Sequence, residues 1–226
     1  MSHTVHPYSH RLVVLRDWKS RWFGTRGKYQ EYLKADIILR EFLQKKLRGA
    51  QVDSVEMERG ENYYKIIIKT AKPGIVIGRN GEAAAKLREE VIRKLTKNNI
   101  PLPKDVKIEV EEVRAPEAKS AIVAEMIAEG LEKRLPFMRV IRQALEKITA
   151  NRDVLGAKIT ISGRLGGAEM SRVETVKKGR LPLQTLRADI DFAREKAHLP
   201  YGDIGIKVWI FKGEVFADKR RNTTHK

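Results

Sequence analysis

Ile75-Val76-Ile77-Gly78-Arg79-Asn80-Gly81-Glu82 decides how the first half of the chain is read. Two glycines three residues apart close a short apolar piece, and Leu87, Val91 and Leu95 then recur at helical spacing as far as Lys97. Glycines at both ends of such a turn let another backbone approach without meeting a Cβ. The helix that follows offers its first N–H groups and its positive dipole end to an anion. Upstream, Val52 to Glu58 and Tyr63 to Thr70 read as strands joined by Arg59-Gly60-Glu61-Asn62, so a hairpin is expected. Before them, Tyr29, Leu33, Ile37 and Tyr32, Leu39, Phe42, Leu43, Leu47 recur at helical spacing from Lys28 to Arg48, and Gly49 is placed to end that helix. Downstream, Asp105 to Val113 sets Val106, Ile108 and Val110 against Lys107, Glu109 and Glu111, the pattern of a half-buried strand. The element order is α-β-β-α-α-β.

Residues 1–27 mix basic, aromatic and turn residues without a period and read as a basic N-terminal arm. Glu112 to Pro116 reads as a linker, since Pro116 can open a helix at its first turn. Helices are expected from Lys119 to Leu135 and from Phe137 to Thr149, with Pro136 between them. Extended segments follow at Ala157–Ser162, Met170–Lys177, Leu183–Phe192 and Ile204–Lys212, punctuated by glycines. Two helices and then several strands predict a second α+β domain with an antiparallel sheet. The expected organisation is an arm (1–27), a first domain (28–114), a C-terminal α+β domain (115–213) and a basic tail (214–226).

The chain of 226 residues carries 46 Lys and Arg against 29 Asp and Glu, a formal charge of +17. Residues 49–116 contribute only +2 of this, so the anionic partner is expected to be held from several sides. With no cysteine, disulfides, thiolate metal sites and Cys nucleophiles are excluded, which fits a reducing compartment. No run is long and apolar enough to span a membrane, and no secretory leader is apparent, so a cytoplasmic protein without a membrane partner is expected. Neither a G-x-x-x-x-G-K-[ST] loop nor a G-x-G-x-x-G or H-E-x-x-H motif occurs. One enzymatic alternative remains: Asp189 and Asp191, with Glu169 and Glu174, as a Mg²⁺ site of a nuclease, against a sheet face salt-bridged to Arg187. The second reading is preferred, and neither catalytic residues, metal nor cofactor are expected.

A Gly-x-x-Gly turn between helices is the loop that clamps about four nucleotides in KH domains, and α-β-β-α-α-β is the type II order. Gly78, Arg79, Asn80 and Gly81, with Lys86 and Arg88 along the next helix, are therefore expected at RNA. In the arm, Trp18 and Trp22 beside Lys19 are placed to stack on bases, packing on the protein's own surface being the equal alternative. A KH regulator acting free of any larger particle is the rival within this class.

Longer motifs carry a resemblance. Val5-His6-Pro7, Arg11-Leu12 and Trp18-x-Ser20-x-Trp22 come first, then the Gly-x-x-Gly helix. Ser162-Gly163-Arg164-Leu165-Gly166-Gly167-Ala168-Glu169 and Gly179-Arg180-Leu181-Pro182-Leu183-x-Thr185-Leu186-Arg187-Ala188-Asp189-Ile190-Asp191 follow. In this order they resemble the bacterial form of protein three of the small ribosomal subunit, over nearly the whole chain. The resemblance implies a non-enzymatic component of the subunit head that binds small-subunit rRNA, lies beside head proteins ten and fourteen, and lines the entrance of the mRNA channel. It implies RNA contacts from Arg11, Trp18, Lys19, Trp22, Arg164 and Arg180. It also implies basic residues on a helix at that entrance; the matching stretch runs from Lys133 and Arg134 to Arg142, in which Arg139 and Arg142 match the family's basic positions whereas Met138 stands where the family usually has arginine. No homo-oligomer is expected, and the location implied is the cytoplasmic ribosome, with organellar origin left open.

Overall fold

The structure is a computed structural model and describes residues 5–216 apart from 61, 99 and 101–104. Residues 217–226 of the expected tail and 1–4 of the expected arm lie outside the described residues. In chain order a single helical turn, α1 (Pro7–His10), precedes β1 (Ser20–Arg21), α2 (Arg26–Lys46), β2 (Val52–Arg59), β3 (Tyr63–Thr70), α3 (Pro73–Ile77), α4 (Glu82–Lys97) and β4 (Asp105–Glu112). Then come α5 (Ser120–Glu132), α6 (Phe137–Ala150), β5 (Gly156–Gly163), β6 (Arg172–Gly179), β7 (Ala188–Leu199) and β8 (Gly202–Glu214). Two compact units result, residues 18–114 and residues 5–17 with 115–216. The expected arm is thus divided at residue 17 between the two units.

The first unit has the expected α-β-β-α-α-β order with β1 added at the edge of its sheet. Strand order is β1-β2-β3-β4, with β2 and β3 antiparallel and β3 and β4 parallel. Leu39 and Leu43 of α2, Leu47 just after it, and Leu87, Val91 and Leu95 of α4 pack on Met57, Ile66, Ile68 and Val106. Of the two apolar stripes on α2, only the one through Leu39 is in the core; Tyr29, Leu33 and Ile37 face solvent. The buried face instead includes Asp36, which accepts hydrogen bonds from Trp22 Nε1 at 2.8 Å and Tyr64 Oη at 2.9 Å. The opposite face of the sheet is neutralised by ion pairs. Arg21 meets Glu56 and Glu58 at 2.9 and 2.7 Å, Lys69 meets Glu56 at 2.7 Å, and Lys65 meets Glu109 at 2.8 Å.

The second unit is the expected α+β domain. Its sheet, β6-β5-β8-β7, is antiparallel throughout. Ile127 and Leu131 of α5 and Ile141, Leu145 and Ile148 of α6 cover Ile159, Ile161, Ile206, Val208 and Ile210. A Cβ on Gly156 would stand 1.9 Å from the Arg180 carbonyl oxygen, so only glycine lets the chain leave β6 beside β5. On the other face Ala188, Ile190, Trp209 and Phe211 form a smaller core. His6 packs edge-on against Phe192 there, ring centroids 4.7 Å apart.

The third extended segment is where expectation and structure part. It was expected over Leu183–Phe192, but β7 runs Ala188–Leu199. Residues 183–187 stay out of the ladder, the carbonyls of Leu183 and Thr185 accepting instead from the Arg11 guanidinium. Residues 193–199 join it because β8 supplies partners from Val208 back to Gly202, although Arg194, Glu195 and Lys196 show no apolar alternation.

Candidate nucleic-acid interface

The Gly-x-x-Gly loop starts where α3 ends. Gly78 has φ 73° and ψ −175°, a region open essentially to glycine alone, and a Cβ there would meet the Ala83 methyl at 2.6 Å. Asn80 and Gly81 are left-handed, at φ 50° and 80°, and Gly81 leads directly into α4. The turn leaves Arg79 and Asn80 exposed beside Ile75 and Ile77, which are 59% and 40% exposed. Arg79 and Lys86 have no ion-pair partner among the described residues, whereas Arg88 meets Asp105 at 3.2 Å. An apolar lip, a glycine-framed backbone and unneutralised cations suit a nucleotide backbone.

The residues expected in the arm separate into three environments. Arg11 is wholly buried. Its Nε donates to the Ala188 carbonyl at 2.7 Å, Nη1 to Pro7 at 3.0 Å, and Nη2 to Leu183 and Thr185 at 2.8 and 3.0 Å. Its donors are spent inside the second unit, which corrects its expected role at RNA. Trp22 is half-buried, donates to Asp36 and packs on Tyr29 and Tyr32, so of the two alternatives it takes the packing one. Trp18 and Lys19 are exposed, and the Lys19 carbonyl accepts from the Met57 N–H at 2.8 Å.

Lys133, Arg134, Arg139 and Arg142 surround the turn between α5 and α6. The Leu135 N–H donates to Gly130 and the Arg134 N–H to Leu131, the paired bonds of a Schellman cap. The left-handed residue of that cap is Arg134, at φ 59°, where glycine is usual. Lys133 is 3.8 Å from Glu129. On α6, Val140 and Ile141 point into the core while Arg139 and Arg142 are exposed, without ion-pair partners among the described residues. Met138 is half-buried.

Arg172, which the sequence reading did not single out, lies over the Phe137 ring at 5.2 Å and pairs across the sheet with Gly163. The α5–α6 turn therefore stands at the end of the sheet where Arg164 sits. Arg164 Nε is tied to the Ala168 carbonyl at 2.9 Å. Arg180 is at the opposite end of β5, since Gly156 pairs with Gly179. The register thus brings Arg164 towards the turn and keeps Arg180 away.

Asp189 and Asp191 are structural. Arg16 meets Asp189 at 2.6 Å, and Asp191 accepts from the Ser120 N–H at 2.9 Å, so β7 caps the start of α5. Arg187 pairs with Glu214 instead; the sheet face is salt-bridged as preferred, but through Arg16, whose distance in sequence hid it. Burial pushes the Asp191 carboxyl up, but the Ser120 N–H and the charges of Arg16, Lys212 and Lys119 outweigh it and hold the group below its usual range. A carboxylate depressed in the fold contributes stability that is present above its ordinary value near 3.8 and lost as pH falls through the folded one. Asp191→Asn is expected to lower stability by about 1–3 kcal/mol at pH 7. In denaturant titrations the gap to the parent protein should narrow below about pH 3.8.

A glycine-framed loop between two helices on a three-stranded core sheet, followed by an antiparallel α+β unit with a cationic helix turn, defines an RNA-binding protein built on a KH domain. Residues 38–118 match the family model described as KH domain, and residues 127–210 match that of ribosomal protein S3, C-terminal domain. The chain is 44% identical over 219 residues to small ribosomal subunit protein uS3 of Coxiella burnetii, covering 97% of this chain and 93% of that one. It is 43% identical to the uS3 of Caldicellulosiruptor bescii, over 97% and 96%, and to that of Pseudomonas paraeruginosa, over 97% and 93%. The chain belongs to the uS3 family of small-subunit ribosomal proteins, which are not enzymes.

Proposed function

We propose that this chain is anchored in the head of the small subunit by ribosomal RNA and by head proteins ten and fourteen, and that mRNA entering the subunit passes the α5–α6 turn. The observation that carries this reading is the pair Arg139 and Arg142, exposed one turn apart on a helix whose Val140 and Ile141 are locked in the core. Two guanidinium groups on a rigid support offer bidentate contacts to successive phosphates of a passing strand. Arg134 and Arg164 stand near the same end of the sheet, and the Gly-x-x-Gly loop with Arg79 and Lys86 supplies a second RNA contact. Residence in the cytoplasmic ribosome is part of the same reading.

Ribosomes carrying Arg139→Ala with Arg142→Ala test it. Truncating exposed arginines changes stability by about 0.5 kcal/mol or less each, so assembly should be near normal. Translation through a stable mRNA hairpin should slow relative to a matched message without one. An unchanged ratio of the two rates would overturn the channel role, and an equal defect on both messages would assign the helix to assembly instead.

A further inference from the structure

We infer that the open face of the second sheet is a docking surface for the phosphate backbone of RNA. This rests on the ribosomal reading and names a surface within it. Helices α5 and α6 cover one face of β6-β5-β8-β7. On the other, the chain before residue 17 packs by His6 on Phe192, beside Ile190, Trp209 and Phe211. Along the rest of that face the register sets Lys158 opposite Lys177 and Arg194 opposite Lys207, with Lys196 opposite Gly205. Neighbouring strands are about 4.8 Å apart, so these five cations spread across about 15 Å.

None of the five has an ion-pair partner among the described residues, and the Lys158 ammonium lies 5.0 Å over the Trp209 ring. The one carboxylate in these rows, Asp203, is 2.7 Å from His198. Like charges directly opposite on adjacent strands destabilise a sheet, and here that happens twice. The first unit's sheet shows the same chain neutralising an open face with Glu56, Glu58 and Glu109. A face left cationic at a cost to folding is complementary to a polyanion.

The residues between the cations choose among polyanions. Thr160, Thr175, Ser162 and Gly205 offer nothing bulky to insert into a lipid surface, and Val173, opposite Ser162, is the one exposed apolar side chain among them. Trp209 is only 6% exposed, Phe192 is packed against His6 and the His198 ring is bonded to Asp203, so these rows offer no unengaged ring for bases to stack on. Recognition is therefore of phosphates, without base readout.

The full-length triple variant Lys177→Thr, Arg194→Thr, Lys207→Thr tests this against a mixed-sequence RNA duplex of about 20 base pairs, a length that covers the face more than once. A control removes three exposed cations elsewhere, Lys34→Gln, Lys45→Gln and Arg152→Gln. Losing three phosphate contacts should make the slope of log K against log[salt] shallower by about 2 to 3 and weaken binding on the order of a hundredfold near 0.15 M salt. The thermal midpoint should hold or rise, since threonine suits a strand and the opposed charges are gone. An unchanged slope, or an equal loss in the control, would overturn the proposal while leaving RNA binding by the protein intact. Loss of binding to anionic phospholipid vesicles with RNA binding unchanged would overturn it in favour of a membrane. A parent slope shallower than about −1 would overturn both this proposal and the reading beneath it.

Discussion

Replacing Arg11 by alanine is expected to cost about 3–5 kcal/mol, because it removes a buried charge that makes four hydrogen bonds. The carbonyls of Pro7, Leu183 and Ala188 lose the guanidinium at once, while that of Thr185 keeps the Ala188 N–H at 3.2 Å, and each buried acceptor left unsatisfied carries its own desolvation penalty. Burial lowers the pKa of this guanidinium while Asp189 raises it, and arginine stays charged throughout. Arg11→Lys should recover only part of the loss, because three donors on a point charge cannot replace a planar fork. The urea midpoint of the full chain measures both. Destabilisation of Arg11→Ala by less than about 1 kcal/mol would mean that solvent satisfies those carbonyls.

The second large effect is in the first unit. Asp36 is 1% exposed and sits at the centre of Trp22, Tyr64 and Arg59, whose Nη2 is 3.7 Å from its Oδ1. The Arg59 guanidinium lies between the Tyr32 and Tyr64 rings, 4.2 and 4.3 Å from their centroids. Burial, and then the Asp36 charge, push the Tyr64 hydroxyl well above its ordinary value, so it stays a donor at any physiological pH. Asp36→Ala strands a buried cation and two donors, and about 3–5 kcal/mol should be lost. Asp36→Asn keeps an acceptor and should lose less. A red shift of the Trp22 emission, read in a Trp18→Phe, Trp209→Phe background, would accompany the loss; an unshifted spectrum in the alanine variant would show that this cluster does not depend on its anion.

Both sites mark the limit of reading by period. Helices and strands with regular apolar spacing, α4 and β4 among them, were legible because burial of one face imposes that spacing. Arg11 is legible only as a residue suited to RNA and Trp22 equally as a stacking or a packing one, since nothing local distinguishes an exposed guanidinium from one whose acceptors lie more than 170 residues on. The end of β7 was hidden for a related reason: Arg194 and Lys196 sit on a sheet face that no helix covers, so hydrophobic alternation has no cause there. On α2 the exposed stripe of Tyr29, Leu33 and Ile37 is as apolar as the buried one, and spacing alone cannot rank them. The Gly-x-x-Gly loop was legible because its chemistry is local, a steric demand met at Gly78 by glycine and no other residue.

The second unit is built from the two ends of the described chain, with residues 18–114 between them, and this sets a timetable for synthesis. Arg11 leaves the translating ribosome early, but the Leu183 carbonyl it binds is made 172 residues later. At about 5–20 residues per second, that is a wait of about 10–35 s. The first unit can complete itself in the interval, whereas the second must hold its opening strand of chain unengaged until β7 arrives. Its last step is a long-range closure rather than a local zippering, so a chain released too soon would leave residues 5–17 without the strands that they cover.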